Sequence, residues 1–256
     1  MLWRFRAARF SLSLVWETMK LAFLVQFKPE KDRRLFRAHR QRKSCKRFCR
    51  ILKANIIVVG DEPKSGAMIV MTNHLGLMDP WVLGAALPVA FAAKVEMAKW
   101  PVMGWVTRTV GVIFVERDRR LATSRFVEEL RDVLRAGVRG LVFPEGTVGD
   151  GRTIRDFKTG GFAAVAGMED GAVLPVYHNA VRMNGKPTTL ETRELLGWPV
   201  DMPMLESARR WLSLDSMDIE VRIGEPIPTA GRDRKELAKM SRAAVRALAG
   251  DLVEGA

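Results

Sequence analysis

Six short apolar runs between residues 55 and 178 limit what this chain can fold into more than any other feature. They read NIIVVG (55–60), AMIVMTN (67–73), VAFAAK (89–94), VGVIFVER (110–117), GLVFPEG (140–146) and AVLPVYH (172–178). Each is apolar at nearly every position rather than at every second one, and a strand of that kind must be covered on both faces. The segments 80–87, 100–108, 119–137 and 160–169 between them carry helical patterns. Strands alternating with helices specify an α/β architecture: a mixed, mostly parallel sheet flanked by helices. DIEVRIGEPI (218–227) reads as a further strand and residues 232–255 as a terminal helix, whereas 179–216 are poorly patterned.

Charge divides the chain at residue 53. The formal net charge is +13. Residues 1–53 hold 16 Lys and Arg against only Glu17, Glu30 and Asp32, while the rest of the chain balances 26 basic groups with 26 acidic ones. A near-neutral α/β domain (54–256) thus carries a cationic arm (1–53), and such an arm seeks a polyanion. The arm opens with MLWRFRAARFSLSLVWETMKLAFLVQF, rich in aromatic and aliphatic side chains. Residues 10–27 approach the length of a membrane span, but Glu17 and Lys20 would each cost roughly 2.5–3.5 kcal/mol at a bilayer centre. A helix lying in the interface avoids that cost and lets Arg4, Arg6 and Arg9 meet headgroups. Beyond Pro29, Leu35, Ala38, Cys45, Cys49 and Leu52 share one helical stripe among many Arg and Lys. The arm reads as two amphipathic helices that dock on an anionic membrane surface. A nucleic-acid partner has no use for so hydrophobic a first helix, so none is expected. A non-catalytic membrane- or nucleic-acid-binding protein is the reading from another functional class.

No small-residue cleavage site follows the amino-terminal segment, and Cys45 and Cys49 cannot make a disulfide framework. The expected place is therefore the cytoplasmic face of a membrane, as a monotopic or peripheral protein. No zinc-type Cys/His cluster exists in the sequence, and no metal is expected.

The run ending at Asn73-His74 is followed by Asp79-Pro80. On one continuous helix, five residues would set His74 and Asp79 about 140° apart. Asp79-Pro80 instead suits a helix start, with Asp as N-cap and Pro at the first helical position. The loop between, containing Gly76, can then curl the imidazole back toward the carboxylate. That is a general base with its orienter. Two other strands end in functional residue types. FPEGT (143–147) places Glu145 beside Gly146, which permits a tight turn with main-chain N–H groups facing an anion. GVIFVER ends in Arg117, a residue suited to bidentate phosphate binding. Strand ends are where α/β sheets build sites.

Together these residues resemble the glycerolipid acyltransferase superfamily, of the 1-acylglycerol-3-phosphate O-acyltransferase (lysophosphatidate acyltransferase) type. The Asn-His-x4-Asp block matches Asn73, His74 and Asp79. The strand ending in Arg matches Arg117, with Glu116 where the family commonly has Asp. Phe-Pro-Glu-Gly-Thr is complete at Phe143–Thr147, and the Val-Pro strand falls at Pro175. RDFKTGGFAAVA (155–166) resembles the segment after the third block, with Lys158 and Gly160 matching. Where the family often has Arg or Lys after the Thr, this chain has Val148, which shifts the phosphate load to Arg117 and Lys158.

The resemblance implies transfer of a fatty acyl group from acyl-CoA or acyl carrier protein to the hydroxyl of lysophosphatidic acid, making phosphatidic acid. His74 and Asp79 would form the catalytic pair, with direct attack and no covalent intermediate. Arg117, with Glu145 and Gly146, would hold the acceptor's glycerol-phosphate end, and Asn73, Thr147 and Lys158 would also bind substrate. Lys94 and Lys99 are further candidate phosphate contacts. No cofactor is implied beyond the acyl donor. The alternative acceptor is another lysolipid, lyso-ornithine lipid or a glycolipid. His178 reads as structural.

Overall fold

The computed structural model describes residues 2–64, 66–115, 120–194, 196–198 and 202–253. Helices α1 (Leu2–Gln26) and α2 (Glu30–Ile51) come first, separated at Pro29. β1 (Ala54–Val59), β2 (Ala67–Thr72), α3 (Asp79–Ala86), β3 (Val89–Lys94), α4 (Met103–Val110), β4 (Ile113–Val115), α5 (Arg120–Arg135) and β5 (Arg139–Val142) follow. The chain continues through β6 (Gly171–Met183), β7 (Lys186–Pro187), α6 (Leu190–Glu194), α7 (Met204–Ser213), β8 (Met217–Ile223), β9 (Ile227–Pro228) and α8 (Arg234–Ala249). The main sheet runs β1-β8-β6-β2-β5-β3-β4. β6, β2, β5, β3 and β4 are parallel; β8 is antiparallel to β6, and β1 is parallel to β8. This is the mixed, mostly parallel sheet that the apolar runs imply.

The uninterrupted runs have a direct cause. Val70, Leu174 and Val176 enter one core with α2, α3 and Trp211 of α7. Their neighbours Ile69, Met71, Val173 and Tyr177 enter a second core with α5 and α8. Alternate residues therefore feed opposite faces of the sheet, both covered. The register also decides where chemistry can sit. Met71 pairs with Val142, and Thr72 with Val176. The residues that follow β2 and β5, and the stretch of β6 beyond Val176, thus meet at the carboxyl end of three central parallel strands.

Several elements depart from the sequence reading. The helix expected over 160–169 is a single 3₁₀ turn, Gly161–Ala164. Three glycines, at 160, 161 and 167, weaken helix propagation there, and Gly167 sits at φ +72°. The strand expected over 218–227 stops at Ile223 and resumes as β9, because Gly224-Glu225-Pro226 intervenes and Pro226 has no N–H to give a ladder. β6 runs on to Met183, and the unpatterned stretch after it contains β7, α6 and α7. α8 is capped by Asp233, whose Oδ1 accepts from the N–H groups of Lys235 (2.6 Å) and Glu236 (2.9 Å).

The charge boundary at residue 53 is not a packing boundary. α2 buries Cys45, Phe48 and Cys49, and Cys45, Cys49 and Leu52 share a core with Val82 and Leu83 of α3. The rings of Phe10, Phe48 and Trp81 meet at 5.3, 5.4 and 5.1 Å between centroids, joining α1, α2 and α3. Glu17 turns inward to α2. Ser44 Oγ and Arg47 Nη1 each donate to it at 3.0 Å, with Arg40 at 3.6 Å. The outer side of α1 carries large apolar side chains among its basic ones: Phe5, Leu12, Trp16, Met19 and Phe23 are exposed, Leu12 by 73%, beside Arg4, Arg9 and Lys20. α1 thus buries Leu14, Leu21 and Val25 and exposes large apolar side chains as well, which a solvated surface helix does not do. Of the stripe read as membrane-docking on the second helix, Ala38, Cys45, Cys49 and Leu52 are buried in the protein, and Leu35 is 41% exposed. No helix among the described residues is long and apolar enough to cross a membrane.

Candidate active site

β2 ends at Thr72, and α3 begins at Asp79. Asp79 is not the N-cap that Asp-Pro suggests. Met78 takes the cap position, and no side-chain cap bond forms. Three donors of the preceding loop claim the carboxylate instead. Asp79 Oδ2 accepts from the N–H groups of Leu75 (2.6 Å) and Gly76 (3.0 Å) and lies 2.7 Å from His74 Nδ1. The loop curls the imidazole onto the aspartate, as the spacing requires. With Nδ1–H given to Asp79, Nε2 is the nitrogen left to take a proton, and it has no protein partner among the described residues. The Phe143 ring stacks on the imidazole at 4.0 Å and 17°. His74 keeps 23% of its side chain exposed while Asp79 keeps 1%. Burial pushes the Asp79 carboxyl up, but His178 and then His74 outweigh it and hold the group well below the usual carboxylate range.

Glu145 fixes the same loop from the other side. Its Oε1 accepts from His74 N–H at 2.9 Å and its Oε2 from Arg155 N–H at 3.1 Å. Gly149 N–H donates to the His74 carbonyl at 2.6 Å. Both main-chain groups of His74 are therefore held by the segment after β5. Glu145 is buried with both oxygens occupied by main-chain donors, so its structural role is to hold His74.

Burial pushes Glu145 up to about 7, against its two main-chain bonds and the neighbouring His74 and Arg155. The folded protein then keeps a proton that the unfolded chain has lost above the ordinary glutamate value of 4.5. The resulting stability is fully present below that value and is lost as pH rises through about 7. Urea unfolding between pH 5 and 8 should show wild type losing stability relative to Glu145→Gln, by at most about 1.4 kcal/mol per pH unit. Parallel pH curves for the two proteins would contradict this.

The other expected site residues divide. Gly146 adopts φ +74°, and a Cβ there would come within 2.8 Å of Lys158 Nζ. Lys158 N–H also donates to the Pro144 carbonyl at 2.8 Å. Lys158 thus lies over the 143–147 turn, in which Thr147 is half-buried. Asn73 is buried, and both ends of its amide bond the main chain of His178: Nδ2 donates to the carbonyl at 2.9 Å and Oδ1 accepts from the N–H at 3.0 Å. Lys94 and Lys99 are exposed at the end of β3 and in the turn after it, and no contact among the described residues ties either to His74. Arg117 lies outside the described residues. His178 brings a feature that its local sequence does not announce: its Nε2 stands 3.1 Å from Asp79 Oδ1. Cys45 and Cys49 are free and buried, and burial pushes both thiols up, Cys49 to about 12. Neither presents a thiolate nucleophile.

A family model described as Acyltransferase matches residues 55–179, a span that holds His74, Asp79, the 143–147 turn and His178. A lyso-ornithine lipid O-acyltransferase of Brucella abortus (strain 2308) is 35% identical over 206 residues, covering 78% of this chain and 77% of that protein. The chain belongs to the glycerolipid acyltransferase superfamily. A 1-acyl-sn-glycerol-3-phosphate acyltransferase of Borreliella burgdorferi is 38% identical over a shorter stretch of 110 residues, 41% of this chain and 44% of that protein. Among solved structures, PlsC, the 1-acyl-sn-glycerophosphate acyltransferase of Thermotoga maritima, aligns with a TM-score of 0.65 over 95% of this chain and 96% of its own. At 24% identity that likeness is one of fold. The enzyme is an acyltransferase, and its His74–Asp79 pair lies within the matched span.

Proposed function

We propose that this acyltransferase moves a fatty acyl group from an acyl thioester, acyl-CoA or acyl carrier protein, to the free hydroxyl of a lysolipid, with lyso-ornithine lipid as acceptor. The observation that carries the chemistry is the His74 imidazole, held through Nδ1 by a buried aspartate and open at Nε2. Nε2 takes the hydroxyl proton as the acceptor oxygen attacks the thioester carbonyl. The C–O bond forms, the C–S bond breaks, and the thiolate leaves with the proton returned by the imidazolium. Asp79 keeps the tautomer and stabilises the imidazolium as it forms.

The acceptor assignment rests on the Brucella relative, whose similarity spans most of both chains. Lysophosphatidic acid is the second reading. The Borreliella relative favours it, as does the resemblance that makes Arg117 a phosphate ligand, with Lys158 beside the 143–147 turn. Purified enzyme given one acyl thioester and vesicles carrying either acceptor should show kcat/KM at least about tenfold higher for lyso-ornithine lipid. The reverse preference would assign lysophosphatidic acid, and transfer to neither would refute both readings.

We propose that the enzyme acts at the cytoplasmic face of a membrane; the arm's residues support docking on an anionic membrane surface. The exposed apolar side chains of α1 are supplemented by exposed Trp100, Val102 and Trp105 around α4, with α2 supplying basic residues. Apolar burial and headgroup attraction would act together.

A further inference from the structure

His178 is a buried titratable side chain that the chemistry above leaves unused. It is 1% exposed on β6. The Asn73 amide clamps its main chain, so both strands set where its ring lies. Its Nδ1 lies 3.3 Å from Thr72 Oγ1 and its Nε2 3.1 Å from Asp79 Oδ1. Nε2 makes no hydrogen bond of good geometry, so its contact with Oδ1 is electrostatic rather than a directed bond. The two oxygens of Asp79 are unequally served. Oδ2 has His74 and two loop amides, whereas Oδ1 has only His178 among the described residues.

We propose that His178 is a positioning residue of this acyltransferase, engaging Oδ1 of Asp79 so that Oδ2 stays aimed at His74. The proposal rests on His74 being the base. A buried carboxylate oxygen with no polar group facing it carries a desolvation cost, and His178 Nε2 is the polar group that faces Oδ1 among the described residues. Without His178, Asp79 would rotate toward another donor or take up a proton on Oδ1. Either change weakens its hold on the His74 imidazole. Among the described residues, the ionisable group in contact with the His178 ring is Asp79, with His74 beyond it. Across the β6–β8 ladder His178 pairs with Val221, and Glu220 and Arg222 on either side pair with Asn179 and Tyr177. Those side chains therefore lie on the opposite face of the sheet.

The test compares His178→Gln, which keeps an amide donor near the Nε2 position, with His178→Met, of similar bulk and no donor. His178→Met should lower kcat by about 10- to 100-fold with both KM values within about twofold. The acid limb of its kcat profile should move to lower pH, because an imidazolium held less well by Asp79 gives up its proton more readily, and His178→Gln should recover most of the rate. An independent readout is the downfield proton resonance of the short His74 Nδ1–H···Asp79 bond. It should persist in wild type and His178→Gln and be lost in His178→Met. If His178→Met does not fold, His178→Ala takes its place with the same expectations. Retention of both rate and resonance in the donorless variant would overturn the proposal. So would an equal loss of rate in His178→Gln that tracks melting temperature with an unchanged pH profile. If wild type acylates no lysolipid, the proposed function fails, while the resonance still decides the role of His178.

Discussion

His74→Ala is expected to lower acyl transfer by about 10²–10⁴-fold, the usual contribution of a positioned base, while the fold persists. The side chain is partly exposed, and the main-chain bonds to Glu145 and Gly149 do not depend on it. No second base can take over easily: among the described residues His178 is sealed behind Asp79, and His39 belongs to α2. Melting temperature and kcat, measured on the same sample, separate the two effects. Near-normal kcat would exclude His74 as base. Asp79→Asn is less clean. Its single carbonyl cannot accept every donor that now reaches the carboxylate, so a buried donor goes unpaired at about 1–3 kcal/mol in addition to the catalytic loss.

Removing α1 and α2 is expected to prevent folding rather than merely release the protein from membranes. Phe48 and Leu52 are each 2% exposed, and together they contribute about 3–6 kcal/mol. Their loss would also uncover Val82 and Leu83 on α3, the helix that begins with Asp79. Against a total stability of about 5–15 kcal/mol for an ordinary domain, that is decisive. Circular dichroism of a protein starting at residue 53 should show no cooperative thermal transition; a cooperative melt near that of the whole chain would contradict the account. The membrane role needs a gentler change. Phe5, Leu12, Trp16 and Phe23 project outward and exposed, so replacing all four with Ser should leave the melt intact and abolish salt-resistant vesicle binding.

What the sequence made legible follows from range. Strands buried on both faces announce themselves locally, because Ile69 and Met71 enter one core and Val70 the other. The His74–Asp79 pairing was legible because one short loop contains it. Contacts between distant segments were not. Nothing near His178 points to Asp79, and nothing near Glu145 shows that its oxygens would hold His74 and Arg155 rather than face a ligand. Glu17 read as an obstacle to membrane insertion, because the arginines of α2 that neutralise it are contributed by another helix. Charge bookkeeping separated arm from body, whereas the packing of Cys45, Cys49 and Leu52 joins them.

The most direct test of the central claim is mass spectrometry of the lipid formed when wild type and His74→Ala receive the same acyl thioester and lyso-ornithine lipid. The account predicts that wild type yields a lipid heavier by one acyl group, esterified at the formerly free hydroxyl, with one thiol released per ester. It predicts no such product from His74→Ala on the same timescale. The same ester from His74→Ala at a comparable rate, or thioester cleavage by wild type without a new lipid, would contradict it.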